Sequence, residues 1–229
     1  MAKSQQALPL MAPLPDWLTR DAPGETRAAP IKPSGFVDDP HAAEMLRPRE
    51  ARRRALQRGN IVHRLMQSLP DIPADRRADA ARAYIARQKT DLTNAETGEI
   101  VTSVTGLLTD PQFAALFASA SRAEVPIVGR VQGRTVNGVV DRLVIASDQI
   151  LIADYKTNRP APRSLAETTA RFWNYIEQLA LYRAVLMRLY PGRPVRAALV
   201  WTDVPSLGEI PADALEKALN QALAEVTAS

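Results

Sequence analysis

The sequence predicts a mixed α/β fold in which an N-terminal helical region leads into elements ordered βββαβ, with a helix to close. Three observations carry this reading. Between residues 50 and 119 apolar side chains recur at helical spacing. From Glu124 the texture changes to Val- and Ile-rich runs broken by short polar turns. Later, a continuously apolar run, Ala197–Trp201, follows a long helical stretch, as expected of a strand buried inside a sheet.

Seven of the 18 prolines fall within residues 1–45, a stretch without a sustained period of either kind. Proline fixes φ and removes a donor, so residues 1–45 are expected to form an extended arm or linker. Trp17 is the residue there most suited to docking. The domain proper is expected over 46–229. Glu50–Leu69 reads as a helix burying Val62, Leu65, Met66 and Leu69, closed by Pro70 and Pro73. Ala74–Lys89, Asn94–Leu108 and Pro111–Ser119 read as three more, the last with Asp110 as N-cap and Pro111 at its first position. Glu124–Val131, Thr135–Ile145 and Ile150–Lys156 read as an antiparallel meander joined by Gln-Gly-Arg and Ala-Ser-Asp-Gln turns. Ser164–Tyr190 reads as one long helix, Val195–Thr202 as an internal strand and Ala212–Val226 as the closing helix.

Composition narrows the chemistry. The 229 residues contain no cysteine, which excludes disulfides, thiolate zinc sites and cysteine-held iron–sulfur clusters. No run of 18 apolar residues occurs, and the N-terminus lacks a signal-like apolar stretch, so a cytoplasmic protein with no membrane partner is expected. A net charge of +4 permits a polyanionic partner without demanding one. The chain has no phosphate-loop motif, nucleophile elbow, zinc-protease helix or dinucleotide fingerprint, and its two histidines lie in no serine-hydrolase context.

What remains is a set of acids in apolar strands. Gly138-Val-Val-Asp141-Arg142 and Ile152-Ala-Asp154-Tyr155-Lys156 each carry an aspartate where aspartate is depleted, and burying an unpaired charge is costly. On consecutive antiparallel strands the two can converge. Asp154 and Lys156, two residues apart, project from one face. Two carboxylates beside an ammonium suit metal-assisted phosphodiester hydrolysis, with Mg²⁺ or Mn²⁺ held by the acids and charge on phosphorus countered by the lysine. Taken alone, an Asp-x-Lys tripeptide is equally an ordinary surface pair. Glu124 heads the first strand, His63 sits one turn after Gly59 on an apolar helix, and Gln178 and Tyr182 share a face of the long helix.

In this order, Gly59…His63-Arg-Leu65, Glu124-Val-Pro126, Gly138…Asp141-Arg142, Asp154-Tyr-Lys-Thr157 and Gln178…Tyr182 resemble the RecB-like branch of the PD-(D/E)xK nucleases. More narrowly, the chain is similar to the C-terminal nuclease domain of AddA helicase–nuclease subunits, from about Gln57 to Leu223. The resemblance implies a restriction-endonuclease-like core of mixed sheet flanked by helices. It implies that His63, Asp141 and Asp154, with the Tyr155 carbonyl, hold the metal, that Lys156 is the catalytic lysine, and that Glu124 is an accessory acid. Gln178 and Tyr182 would support the site or contact DNA. Related AddB subunits carry cysteine-held clusters, so the absence of cysteine favours the AddA side. The motor that precedes the nuclease in AddA is missing from this chain.

DNA ends or single strands are the expected substrate, with a helicase motor and a second nuclease subunit of an AddAB-type complex as partners in double-strand-break repair. Arg142, Arg159 and Arg163 are expected near the bound phosphates. Arg47, Arg49, Arg52, Arg53, Arg54 and Arg58 crowd the start of the His63 helix, as a backbone-contacting patch or a solvated helix end. Phe172 and Trp173 could stack on bases, though core packing suits them better. The rival class is a non-catalytic DNA-binding or docking module of the same fold. Alanine at Asp141 or Lys156 is expected to abolish cleavage and leave the fold intact.

Overall fold

A computed structural model describes residues 30–33 and 49–225. Trp17, Arg47, most of the proline-rich stretch and the last residues lie outside them.

Among the described residues, helical segments come first. They are α1 (Arg49–Ser68), α2 (Arg77–Arg87), α3 (Asn94–Thr109) and a 3₁₀ helix over Pro111–Phe117. Short 3₁₀ turns at Leu69–Asp71 and Ala74–Arg76 fill the gap where Pro70 and Pro73 stop α1. Thr93 starts α3 through a reciprocal cap: its hydroxyl accepts the Glu96 amide, and Glu96 accepts the Thr93 amide at 2.7 Å. Pro111–Phe117 was expected as an α-helix, with Asp110 capping it. Asp110 does accept the Gln112 amide at 2.8 Å, but the turn is 3₁₀, and its buried residues Phe113 and Leu116 are three apart, matching the 3₁₀ repeat.

The strands β1 (Ser121–Val131), β2 (Arg134–Ile145), β3 (Ile150–Lys156), β4 (Val195–Trp201) and β5 (Ser206–Glu209) form one sheet in that order. β3 and β4 are parallel and the other neighbours antiparallel, so the sheet is mixed. The parallel pair needs a crossover, supplied by α4 (Leu165–Arg171) and α5 (Trp173–Leu189). β5 was not foreseen. Its sequence, Ser-Leu-Gly-Glu, lacks β-branched residues, and it is held by pairing with β4 and by the forked Arg196–Glu209 ion pair.

The long helix expected over Ser164–Tyr190 is broken at Phe172 (φ −136°, ψ 41°). The break lets a buried Phe172 ring stack on Tyr175 at 5.3 Å and lie 5.1 Å from Trp201. Helix α6 (Ala212–Glu225) packs with α5 on one face of the sheet, against Ile150, Ile152, Leu199 and Trp201. Helices α1, α2 and α3 cover the other face, against Ala153, Tyr155 and Val200. The result is a three-layer sandwich in which β3 and β4 are buried on both sides. No single described helix is long and apolar enough to cross a membrane.

Two details position the site. Val140 and Leu143 belong to the same core although they are three residues apart, so side-chain alternation slips at Asp141. Upstream of that slip, β3 no longer pairs with β2. Ile31 takes up the vacant edge there: its amide donates to the Thr135 carbonyl at 2.8 Å, and its carbonyl accepts from Asn137 at 3.0 Å.

Gly138 on β2 leaves room for Tyr182 of α5: a Cβ at this position would lie 2.7 Å from Tyr182 Cε1 and Oη. Gly138→Ala should lower stability by about 1–3 kcal/mol. In denaturant titration, Gly138→Ala combined with Tyr182→Ala should cost less than the sum of the two single changes. Strict additivity would mean the contact does not constrain the sheet.

Candidate metal centre

The site lies where the sheet ladder fails. β2 and β3 pair from Ile145–Ile150 to Arg142–Ala153, and the next pair would be Asp141 opposite Asp154. Instead the Asp141 side chain accepts the Tyr155 amide at Oδ2, 2.7 Å away, replacing a backbone carbonyl. On the other side of β2, the β1 ladder skips from Ala123–Arg142 to Val125–Val140. Between them Glu124 adopts a φ of 51°, a left-handed conformation that is uncommon for a non-glycine residue. The interruption frees both acids from the flat geometry of a paired strand.

His63 reaches the same place from α1. Burial of Val62, Leu65 and Met66 in the helical layer fixes the rotation of that helix. It leaves His63 half-buried at the edge, with Nδ1 3.4 Å from Asp141 Oδ1 and its ring edge-on to Tyr155 at 6.0 Å. One ligand atom each from His63, Glu124 and Asp141 lies within 4.8 Å of the others. One imidazole nitrogen and two carboxylate oxygens fit a hard or borderline divalent cation such as Mg²⁺ or Mn²⁺.

Asp154 is outside that trio. Its Oδ2 is 2.6 Å from Lys156 Nζ, and both side chains are buried. Lys156 Nζ also donates to Gln178 Oε1 at 3.1 Å and sits 3.9 Å above the Tyr175 ring centre. Gln178 in turn reaches the Tyr182 hydroxyl at 3.4 Å. The expected ligand pair of Asp141 and Asp154 is thus divided in the described structure, with Asp141 facing His63 and Glu124 while Asp154 faces the lysine.

The electrostatics follow from this crowding. Burial pushes the Asp154 carboxyl up to about 6; Lys156 opposes the shift and Asp141 adds to it. Burial also works against ionisation of Asp141, but His63, Lys156 and the Tyr155 amide outweigh it and hold that carboxyl below its ordinary value. Burial pulls His63 down, yet the charge and hydrogen bonding of Asp141 leave it raised overall. Glu124 is raised by burial and then by Asp141. Each of Glu124 and Asp154 is raised in part by the charge of Asp141, so a cation among these acids would be favoured.

Other expected site residues take different positions. Gln178 and Tyr182 are only 5% and 1% exposed. Gln178 reaches Lys156, and Tyr182 packs against Gly138, with both lining the cleft. Arg142 was expected to face phosphate, but it is buried on the helical side of the sheet. There it donates to the Met66 carbonyl at 2.7 Å and to the Tyr155 hydroxyl at 3.2 Å, over the Phe117 ring. The slip at Asp141 is the cause, because it turns the next residue toward α1. Arg159 lies on the cleft wall, paired with Glu99 at 3.0 Å and Asp203 at 2.9 Å. Arg163 does not line that cleft. Phe172 is core, and Trp173 packs partly buried beneath Lys217, so neither is set out for base stacking. Tyr175 was not foreseen. Its spacing of three residues from Gln178 on α5 is the signal that places both beside Lys156.

The metal-site trio, Asp154, Lys156 and Gln178 open onto one cleft of about 1590 Å³ between α1 and the sheet. A family model described as the PD-(D/E)XK nuclease superfamily matches residues 41–228, well over half of the chain. No curated protein matches. Among solved structures, one titled "Crystal structure of SSO0001" aligns at 10% identity, covering 65% of this chain and 84% of that one, with a TM-score of 0.29.

Calorimetric Mn²⁺ titration should give affinities weakened about tenfold or more in His63→Ala, Glu124→Gln and Asp141→Asn. Wild-type affinity in Glu124→Gln would remove that residue from the ligand set. Only the neutral imidazole ligates, and the His63 pKa is raised, so Mn²⁺ affinity should fall as pH drops from about 8 to about 6. An affinity unchanged over that range would exclude His63 as a ligand.

Proposed function

The chain belongs to the PD-(D/E)XK nuclease superfamily, and from that premise we propose that it is a Mg²⁺- or Mn²⁺-dependent deoxyribonuclease of exonuclease type. The observation that carries this reading is the pairing, in one open cleft, of the His63–Glu124–Asp141 trio with the buried Asp154–Lys156 pair. His63, Asp141 and Glu124 would hold the cation, with Asp154 and the Tyr155 carbonyl available to complete its shell. When bound, the cation supplies Lewis acidity at the scissile phosphate.

The remaining work falls to the protein's own side chains. Asp154, Gln178 and the Tyr175 ring fix the direction of Lys156 Nζ. From there the ammonium orients the attacking water and stabilises negative charge as it develops on the phosphate oxygens. Asp141 is held by the Tyr155 amide, so its free oxygen keeps one orientation toward His63. Gln178 and Tyr182 are positioning residues behind Lys156, and Arg159 would meet the strand further along the cleft wall.

We place this activity on DNA ends or single strands, in the cytoplasm, as the nuclease part of a double-strand-break repair complex. A helicase motor and a second nuclease subunit of AddAB type would be its partners. The ordered motifs from Gly59 to Tyr182 and the absence of cysteine support that placement.

Alanine at Lys156 would strand Asp154 as a buried carboxylate, at a cost of about 3–5 kcal/mol. Asp141→Asn and Lys156→Gln are therefore the better variants, since both keep a polar group in place. On linear single- and double-stranded DNA with Mg²⁺ or Mn²⁺, each should cut at least about a hundredfold more slowly than wild type. EDTA should stop the wild type altogether. A purified wild-type chain that binds Mn²⁺ and cuts no DNA would favour the docking-module reading instead.

A further inference from the structure

Arg58 stands apart from the other basic residues at the start of α1. Arg53 is paired with Asp91, and Arg54 with Glu96 and the Asp91 carbonyl. Arg58 is 8% exposed, and its Nε, Nη1 and Nη2 are all buried without a hydrogen-bond partner. A guanidinium carries five N–H donors in a rigid plane, and leaving them dry and unmet is among the more costly arrangements in a folded chain. Burial, and then the nearby charge of Arg159, hold Arg58 below its ordinary value, with Asp203, Glu99 and Glu96 only partly offsetting them.

Its location says what is missing. Arg58 lines the same cleft as His63 and Lys156. The adjoining Gly59 brings α1 so close to the end of β3 that a Cβ there would lie 3.3 Å from Thr157 Oγ1. Thr157 and Asn158, directly after Lys156, line the cleft beside it. The planar fork of arginine matches two oxygens of a phosphate group. Five residues separate Arg58 from His63, about 7.5 Å along the helix axis.

We propose that Arg58 is a phosphate-binding residue, whose buried guanidinium takes a phosphate of the strand bound in the cleft it shares with the metal centre. The proposal rests on the nuclease reading for its ligand, a nucleic-acid phosphate, and on the unmet donors for its place. The phosphate is a terminal monoester or an internal diester, and the two share the chemistry the fork recognises.

The test uses the full chain in EDTA, so that binding is read without cleavage. Fluorescence anisotropy follows a single-stranded oligonucleotide carrying either a 5′-phosphate or a 5′-hydroxyl, across a range of salt. Arg58→Met should bind roughly ten- to a hundredfold more weakly than wild type. Its slope of log affinity against log salt should be shallower by about 0.7, one phosphate contact fewer. Loss on both oligonucleotides assigns an internal diester, and loss confined to the phosphorylated one assigns a terminal monoester. Unchanged affinity and slope would overturn the proposal. So would a lower melting temperature in ligand-free Arg58→Met and Arg58→Gln, because an unpartnered buried charge should be relieved by its removal. Should Arg58→Met fail to fold, the same measurements on Arg58→Gln decide. Inorganic pyrophosphate should raise the melting temperature of wild type and not of the variants. If the wild type cuts no DNA while that difference persists, the nuclease reading fails and the anion site stands. If cutting is normal and no difference is seen, Arg58 alone is misassigned.

Discussion

Much of this structure turns on one hydrogen bond, from the Tyr155 amide to the Asp141 carboxylate. A sheet satisfies its amides with backbone carbonyls, and here a side chain does so instead. The substitution ends the β2–β3 ladder at Arg142–Ala153 and lets the two strands separate beyond it. Separation creates the cleft, frees the edge of β2 that Ile31 occupies, and turns alternate residues of β2 over. Arg142 swings into the helical layer because of that turn, and Asp141 is left at the mouth of the opening with one oxygen fixed and the other facing His63.

Charge has to be accommodated on both sides of that opening, and the two sides solve it differently. Between the sheet and α5, Lys156 meets Asp154, Gln178 and the Tyr175 ring, a largely buried set with an internal counter-ion. Between the sheet and α1, two carboxylates and an imidazole face one another within 4.8 Å. The first set matches one carboxylate to one ammonium; the second sets two carboxylates against a single imidazole. This asymmetry is the physical reason to look for metal at His63, Glu124 and Asp141, and to treat Asp154 as the residue that connects the two halves.

The sequence made the architecture readable wherever periodicity was strong. β3, α1 and α3 fall within a residue or so of their expected bounds, because apolar spacing and, for α1, the closing prolines decided them. The failures have specific causes. Ser164–Tyr190 is helical by composition throughout, and only the tertiary demand for Phe172 in the core breaks it. β5 has no strand-forming residues and exists because β4 offers an edge. At the site, Asp141, Asp154, Lys156 and His63 were visible as charges in apolar runs. The strand slip was not visible, so the direction of Arg142 could not be foreseen. Nor could the isolation of Arg58 within a crowd of arginines, since that depends on which acids α3 and the segment before it bring to its neighbours.

Helix α1 then has a role beyond covering the sheet. It carries His63 on the metal side and Arg58 further along, joined by little more than one turn of rigid backbone. A helix cannot change its rise without losing hydrogen bonds, so the separation of those two groups is set more tightly than loops could set it. The sheet fixes Asp141 and Lys156 just as firmly through the buried β3. Gly59, in near contact with Thr157, sets how closely the two supports approach. A strand laid along the cleft would therefore meet α1 on one side and β3 on the other. Its position would be decided by where these two rigid elements cross.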